Sequence, residues 1–342
     1  MENYILVPNT DVTYDGSLKP RLDIGSILSS KLAFKLLKYP MYDSELDDYH
    51  FSNDRIIQDV DTNSIIYFQF PIYTTLHIEL DLIDKAHQKG IRVVAIVHDI
   101  NSLRGFKIGV DEEVALLNKF DLITLPSIAA ENILRKQGLI VPTIIQQGPF
   151  DFLTQAPEVS SNFSSIVNFA GNISFSKAGF LRDINTPNIL VFGSNLDFTL
   201  PNNVRYMGKF DNDDLIPKLN SGYGLLWDND KNNDGKNFKS YEKYNWQYKL
   251  SLYLAAGIVP IADHASNVGK WLIDNKCGIT IPNIESLDDA IQSISRQEYD
   301  ELEIAIKSQQ NKVRQGYYTQ KLVKLINKKM FNIQFNQLYK SL

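Results

Sequence analysis

Short runs of apolar, largely β-branched or aromatic residues recur along the chain: NYILV, SIIYFQF, RVVAIV, DLITL and PTIIQQ. Helical patterns such as HIELDLIDKAHQKG and EEVALLNKF lie between several of them. A strand that is apolar throughout must be covered on both faces, so this alternation predicts a parallel sheet flanked by helices. The first half reads as an α/β domain. Around residues 151–165 the sequence becomes DFLTQAPEVSSNFSS, polar and punctuated, which reads as a linker. The alternation then restarts with SIVNFAGN, NILVFGSN and GYGLLWDND, followed by YNWQYKLSLYLAAGIVPIADHASNVGKWLIDNKCGITI, a helix-turn-strand-helix-strand pattern. A last stretch, YYTQKLVKLINKKMFNIQFNQLYKSL, has helical spacing and no strand after it. No repeat of solenoid period is present. The expected division is 1–155, 165–312 and a helical 313–342 that packs across the domains or at a subunit contact.

Composition narrows this picture. A chain of 342 residues, 44% hydrophobic, suits two domains with ordinary cores. The single cysteine, Cys277, excludes an internal disulfide framework and a cysteine-rich metal site, and it points to a reducing compartment. No run approaches the ~20 apolar residues of a membrane span, and MENYILVPNT lacks a basic leader region, so a cytoplasmic location is expected. With a formal charge of -5 and no basic run interleaved with aromatics, nucleic acid is not an expected partner. SSKLAFKLLK could touch an anionic lipid surface, which would make membrane association peripheral at most, but a solvated helix face is the better reading.

In parallel sheets ligands bind at the carboxyl ends of the strands, so the loops after strands carry the candidate chemistry. Lys249 lies near the start of a helix that Asn245 can cap, where the helix dipole is already positive. Either it snorkels to solvent or an anion such as phosphate sits there. Phe169-Ala170-Gly171-Asn172 ends a strand; Gly171 would let backbone approach a ligand, with Lys177 and Arg182 available for phosphate. His98-Asp99 ends RVVAIV, with Arg104 close behind, and offers either a general base or a satisfied structural pair. After the first strand Gly16 and Ser17 could admit a ligand, while Lys19 and Arg21 can be merely solvated. The remaining histidines, His50, His77, His87 and His264, show no ligand spacing.

Two motifs are decoys. Asp230 to Gly235 resembles the first half of an EF-hand loop, but the twelfth position is Tyr241 and no helix precedes it. Asp228-Asn229-Asp230 mimics an Asp-x-Asp metal clamp at an unsuitable place in the chain. Neither GxxxxGK[ST] nor GxGxxG occurs, which argues against an NTPase and an ordinary NAD enzyme.

Taken together, FAGN followed by KAGFL, then GYGLLW and YKLSLYLAAG, with IVHDINSLR in the first half, resemble the GT-B glycosyltransferases. Within that fold family they are similar to a bacterial group of galactofuranosyltransferase-like proteins and glucosyltransferases that extend O-linked GlcNAc on serine-rich repeat adhesins. The resemblance runs from the N-terminal loop to GYYTQKLV. It implies two Rossmann-like parallel-sheet domains facing across a cleft, with C-terminal helices. It further implies a UDP-sugar bound mainly by the second domain, an acceptor sugar on a glycosylated adhesin or glycan bound mainly by the first, and a homo-oligomer, either tetramer or dimer.

Carried over by position, Lys249 would contact the diphosphate with Tyr248 beside it. Gly171 and Asn172, with Lys177 or Arg182, would line the donor site, and Gly16 and Ser17 would approach the phosphates from the facing domain. His98 and Asp99 would sit near the acceptor hydroxyl, Asp99 being the first choice of base. One departure stands out: retaining members often carry a glutamate five residues before the helix-ending glycine, and here that residue is Leu252. An inverting displacement is therefore expected, with no metal and no cofactor besides the donor. The transferred sugar would be a hexose: glucose, galactose or GlcNAc. A catalytically silent subunit that binds a glycosylated protein and stabilises a partner transferase is the alternative, and an epimerase acting on a UDP-sugar a third.

Overall fold

The computed structural model describes residues 2–9, 17–41, 52–159, 161–230 and 235–340. Two parallel six-stranded sheets organise the chain. The first contains β1 (Asn3–Pro8), β2 (Lys35–Tyr39), β3 (Ile65–Phe70), β4 (Arg92–Val97), β5 (Leu122–Leu125) and β6 (Thr143–Ile145), in the order β2-β1-β3-β4-β5-β6. The second contains β7 (Asn162–Asn172), β8 (Ile189–Ser194), β9 (Val204–Gly208), β10 (Ser221–Leu226), β11 (Val259–Asp263) and β12 (Ile279–Ile281), ordered β12-β11-β10-β7-β8-β9. Helices of eight residues or more are α1 (Leu18–Leu32), α2 (Leu76–Gln88), α3 (Val110–Leu117), α4 (Ile128–Lys136), α5 (Tyr248–Ala256), α6 (Asn267–Asn275), α7 (Arg296–Arg314) and α8 (Tyr317–Lys340). The expected pair of parallel α/β domains is observed. Among the described residues no helix is long and apolar enough to cross a membrane.

Alternation along the central strands divides the first domain's core. Ile5, Val7, Ile65, Tyr67, Val94 and Ile96 join Ile24 and Leu28 of α1 in a hydrophobic core continuous with the second domain. Leu6, Ile66, Phe68, Val93, Ala95 and Val97 face the other way into a separate core. The apolar runs are thus read out on both faces, as full coverage of a parallel sheet requires.

Two expectations are corrected. SSKLAFKLLK is not one helix face: α1 stops at Leu32, Ala33 adopts a left-handed conformation, and Lys35–Tyr39 becomes an edge strand paired to β1. Lysines on an edge strand guard it against further pairing, which explains the basic composition without a membrane. The supposed linker is anchored at its start, because Phe150 and Phe152 are buried and the Phe152 N–H donates to Val313 at 2.9 Å. Asp151 accepts the backbone N–H groups of Tyr318 (3.1 Å) and Thr319 (2.6 Å), so it caps α8 from the domain junction. Burial pushes its carboxyl up to about 6 despite those donors. The unanticipated β9 has exposed Arg205 and Tyr206, the weak apolar signal of an edge strand. Of the EF-hand-like stretch, residues 231–234 lie outside the described residues.

The carboxyl ends of the two sheets meet. After β10 the chain enters the first domain, where Tyr241 is buried in the core behind β3 and β4 and its hydroxyl accepts the Ile100 N–H at 2.7 Å. Ser127 donates to the Tyr244 carbonyl at 2.9 Å and the Asn237 N–H to that of Arg104 at 3.0 Å. From the other side α8 crosses back to the first domain, where Tyr67 donates to Asn327 at 2.9 Å.

Candidate active site

The second domain supplies a cationic cluster. The first residue after the Gln247 N-cap position is Tyr248, so Lys249 is the second residue of α5; the cap lies two residues beyond the expected Asn245, and Gln247 makes no side-chain capping bond. The helix ends at Gly257, φ 82°, which returns the chain directly to β11. Lys249 passes over Gly171, where a Cβ would lie 3.1 Å from its Cε and where φ is 139°, a conformation few side chains tolerate. Its Nζ sits 3.3 Å from Asp228 Oδ1, 3.4 Å from the Trp227 carbonyl and 4.2 Å above the Phe169 ring.

Lys177 reaches the other oxygen of the same carboxylate, 3.2 Å from Asp228 Oδ2, with its Nζ 4.0 Å above Phe238. Burial alone would raise the Asp228 carboxyl, but Lys177 and Lys249 together hold it well below the usual carboxylate range. Conversely, burial lowers Lys249, Asp228 opposing and Lys177 reinforcing the shift. One buried carboxylate therefore holds two ammonium groups at the carboxyl ends of β7 and β10.

A supporting layer lies behind it. Glu242 accepts the Asp228 N–H at 2.7 Å, the Gln247 amide at 3.1 Å and Lys239 at 2.7 Å. Burial, and then the charge of Asp228, push Glu242 up to about 8, with Lys239 pulling the other way. Lys239 also pairs with Asp263 at 2.8 Å and lies 3.1 Å over Trp227. The Asp-x-Asp resemblance thus resolves into a lysine clamp. Among the described residues no group of three or more His, Cys, Asp or Glu could hold a metal ion.

The first domain contributes His98 at the end of β4. The Gln69 amide donates to the carbonyls of Leu6 and Arg21, both at 3.0 Å, so its oxygen must face His98 Nε2 at 3.1 Å. Nε2 therefore carries the ring proton, and Nδ1 is left with its lone pair. The ring stacks on Phe150, centroids 4.7 Å apart at 7°. Burial, then the nearby Arg21 charge, hold the imidazole well below its usual pKa and keep it neutral. Asp99 pairs with Arg104 at 2.9 Å, and the loop after it is pinned by Glu113, which accepts the N–H groups of Asn101 and Ser102 at 2.8 and 2.9 Å.

Lys19 and Arg21 are not solvated. Arg21, 1% exposed, donates to the Ser17 and Pro71 carbonyls at 2.6 and 2.8 Å. Lys19 pairs with Asp23 and donates to the Leu153 carbonyl, each at 2.6 Å. Burial raises the Asp23 carboxyl, with Lys19 opposing. Tyr248, stacked on Phe152, donates to Asp23 at 3.3 Å, which links α5 to α1.

Lys177, Lys249 and Gly171 thus come together. Asn172 accepts the Ser174 N–H at 2.9 Å and shapes the turn after β7. Arg182 turns elsewhere, pairing with Asp183 at 3.4 Å and lying 5.1 Å over Phe175. Ser17 sits at the N-cap position of α1, and Gly16 lies outside the described residues. Sequence reasoning missed Asp228 as a lysine partner, and Glu242, Lys239, Asp23 and Gln69 altogether. Asp228 alone had a usable signal, its place directly after an apolar strand.

The chain matches two domain models of one family: glucosyltransferase 3-like, N-terminal domain, over residues 2–148, and glucosyltransferase 3-like, C-terminal domain, over residues 167–326. It is 26% identical over 273 residues to glucosyltransferase 3 of Streptococcus parasanguinis, covering 79% of this chain and 80% of that one. With the beta-1,6-galactofuranosyltransferase WbbI of Escherichia coli K12 it shares 23% identity over 327 residues, 89% and 92% of the two chains. Among solved structures, "Trehalose-6-phosphate from E. coli bound with UDP-2-fluoro glucose" superposes with a TM-score of 0.63 at 9% identity, covering 95% and 98% of the chains. WaaG, a glycosyltransferase involved in lipopolysaccharide biosynthesis, does so with a TM-score of 0.56 at 10% identity, covering 95% and 99%. These likenesses establish the two-domain GT-B fold.

Proposed function

We propose, from the premise that the chain belongs to the glucosyltransferase 3-like family of GT-B glycosyltransferases, that it moves a hexose from a UDP-sugar to an acceptor sugar. The acceptor in this reading is O-linked GlcNAc on a serine-rich repeat adhesin, and the reaction inverts the anomeric centre without a metal. The observation that carries the reading is the pair of lysines held by Asp228 at the carboxyl ends of β7 and β10. A diphosphate offers these ammonium groups more negative charge than one carboxylate, and it gains charge as the glycosidic bond breaks.

In the first domain His98, rather than Asp99, takes the acceptor proton, because the Asp99 carboxylate is engaged by Arg104 at 2.9 Å while His98 Nδ1 keeps its lone pair. The acceptor oxygen bonds to the anomeric carbon as the bond to the UDP oxygen breaks. Its proton passes to His98 Nδ1, and Gln69 Oε1 supports the imidazolium. Ser17, beside Arg21, places the start of α1 toward the donor phosphates. The chain works in the cytoplasm as a homo-oligomer.

The deciding experiment is UDP release from a panel of UDP-sugars, with and without a GlcNAc-bearing peptide, followed by NMR of the product anomer. Acceptor-dependent release from one donor with inversion is expected. Glycopeptide binding without UDP binding or turnover would replace this reading with the silent subunit.

A further inference from the structure

An open groove of about 600 Å³ lies between the domains, lined by Ile133 and Lys136 of α4, Lys243 and Tyr244 of the segment after β10, His264 of the turn after β11 and Lys270 of α6. Its walls follow β5 in the first sheet and β11 in the second, each one strand along from β4 and β10, which carry His98 and Asp228. It therefore continues the edge on which the site is built. Lys239 connects the two: it pairs with Glu242 behind Asp228 and with Asp263, the residue before His264.

The charge of this groove opposes that of the chain. The formal net charge is -5, yet no carboxylate lines the groove. Lys136, Lys243 and Lys270 are exposed, and none has a carboxylate partner among the described residues. Each comes from a different element around an open groove of about 600 Å³, room for a short peptide segment rather than for one phosphate. Tyr244 and Ile133 add apolar surface between them.

We propose that this groove binds an acidic polypeptide segment of the acceptor, with carboxylates spaced along an extended chain meeting the three lysines and the backbone between them resting on Tyr244 and Ile133. This deepens the reading of the protein as a transferase acting on a sugar already attached to a protein, and rests on it. It assigns a specificity element distinct from the donor-binding lysines: acceptors with acidic flanks are held longer while their sugar reaches His98.

The test uses the full chain and a fluorescein-labelled peptide of alternating Ser and Glu, against a Ser/Gly peptide of equal length, read by anisotropy. The acidic peptide is expected to bind, to lose affinity with added salt, and to bind the K136S/K243S/K270S variant about tenfold more weakly. The corresponding triple arginine variant should retain binding, and both variants should melt as the wild type does. Equal binding of the two peptides, or full binding by the serine variant, would overturn the proposal. So would capture of the protein by phosphatidylglycerol vesicles without binding of the peptide. UDP affinity is measured separately on the same samples, so failure of the donor site appears there and failure of the groove in the peptide titration.

Discussion

Gln69 fixes the tautomer of His98: its amide protons are committed to two carbonyls, and its oxygen receives the Nε2–H at 3.1 Å. His98→Gln keeps a donor for that oxygen while removing the Nδ1 lone pair. The variant should stay within about 1 kcal/mol of wild-type stability and lose ~10²- to 10⁴-fold in kcat/KM. Thermal unfolding and steady-state kinetics, run together, check this. A fold-intact variant with normal turnover would remove His98 from the reaction.

Asp228 has two jobs of opposite sign. It neutralises two partly buried ammonium groups in the free protein, and it competes with a phosphate for them. Asp228→Asn should therefore melt at a lower temperature than wild type, yet show a larger rise in Tm on adding UDP. Differential scanning fluorimetry over a UDP titration measures both quantities. A smaller UDP-induced rise would mean that Asp228 organises the lysines for phosphate rather than competing for them.

Lys249→Ala should weaken UDP binding by about 10- to 100-fold, the scale of a lost hydrogen bond to a charged group. Lys177 still pairs with Asp228 in this variant, so the fold should survive. Calorimetric titration with UDP gives the answer, and an unchanged Kd would place the diphosphate elsewhere.

Glu79 is 4% exposed, its Oε1 has no partner, and burial pushes its carboxyl up to about 8. In the unfolded chain the carboxyl ionises near pH 4.5, while in the fold it keeps its proton to about 8. Between those values the native state binds more protons than the unfolded one, so this group's stabilisation is complete below pH 4.5 and is lost as pH rises to 8. Relative to Glu79→Gln, the wild type should lose up to about 1.4 kcal/mol per pH unit across that window. Urea unfolding of both proteins at several pH values tests it, and parallel curves would show that Glu79 is ionised in the fold.

Asp151→Ala should cost about 1–3 kcal/mol, because the Tyr318 and Thr319 N–H groups lose their acceptor at the start of α8. Asp151→Asn, which keeps one carbonyl oxygen, should recover part of this. Hydrogen exchange at the two amides shows whether the loss is local.

The central strands of both sheets were legible because their signal is local: RVVAIV needs two covered faces wherever it sits. KLLKY was not, since an edge strand whose two lysines lie three positions apart matches a helix face as well. In the site, Lys249, Lys177 and Gly171 could be found from their place after strands and at a helix start. Their common partner could not, because Asp228 is separated from Lys177 by 51 positions and from Lys249 by 21, and nothing local marks such pairing. Gln69 was hidden for a similar reason: mid-strand, it reads as one polar residue in an apolar run, and its role appears only when β3 lies beside β4.

Tyr241 belongs by sequence to the second half and by packing to the first. The two halves are consequently not exchangeable cassettes. A first domain expressed alone would carry an empty aromatic socket behind Ile100, and a chimera joining it to another donor domain would need to bring its own plug. Substrate range in this fold is then expected to change by exchange of side chains along the shared edge rather than by reassortment of whole domains.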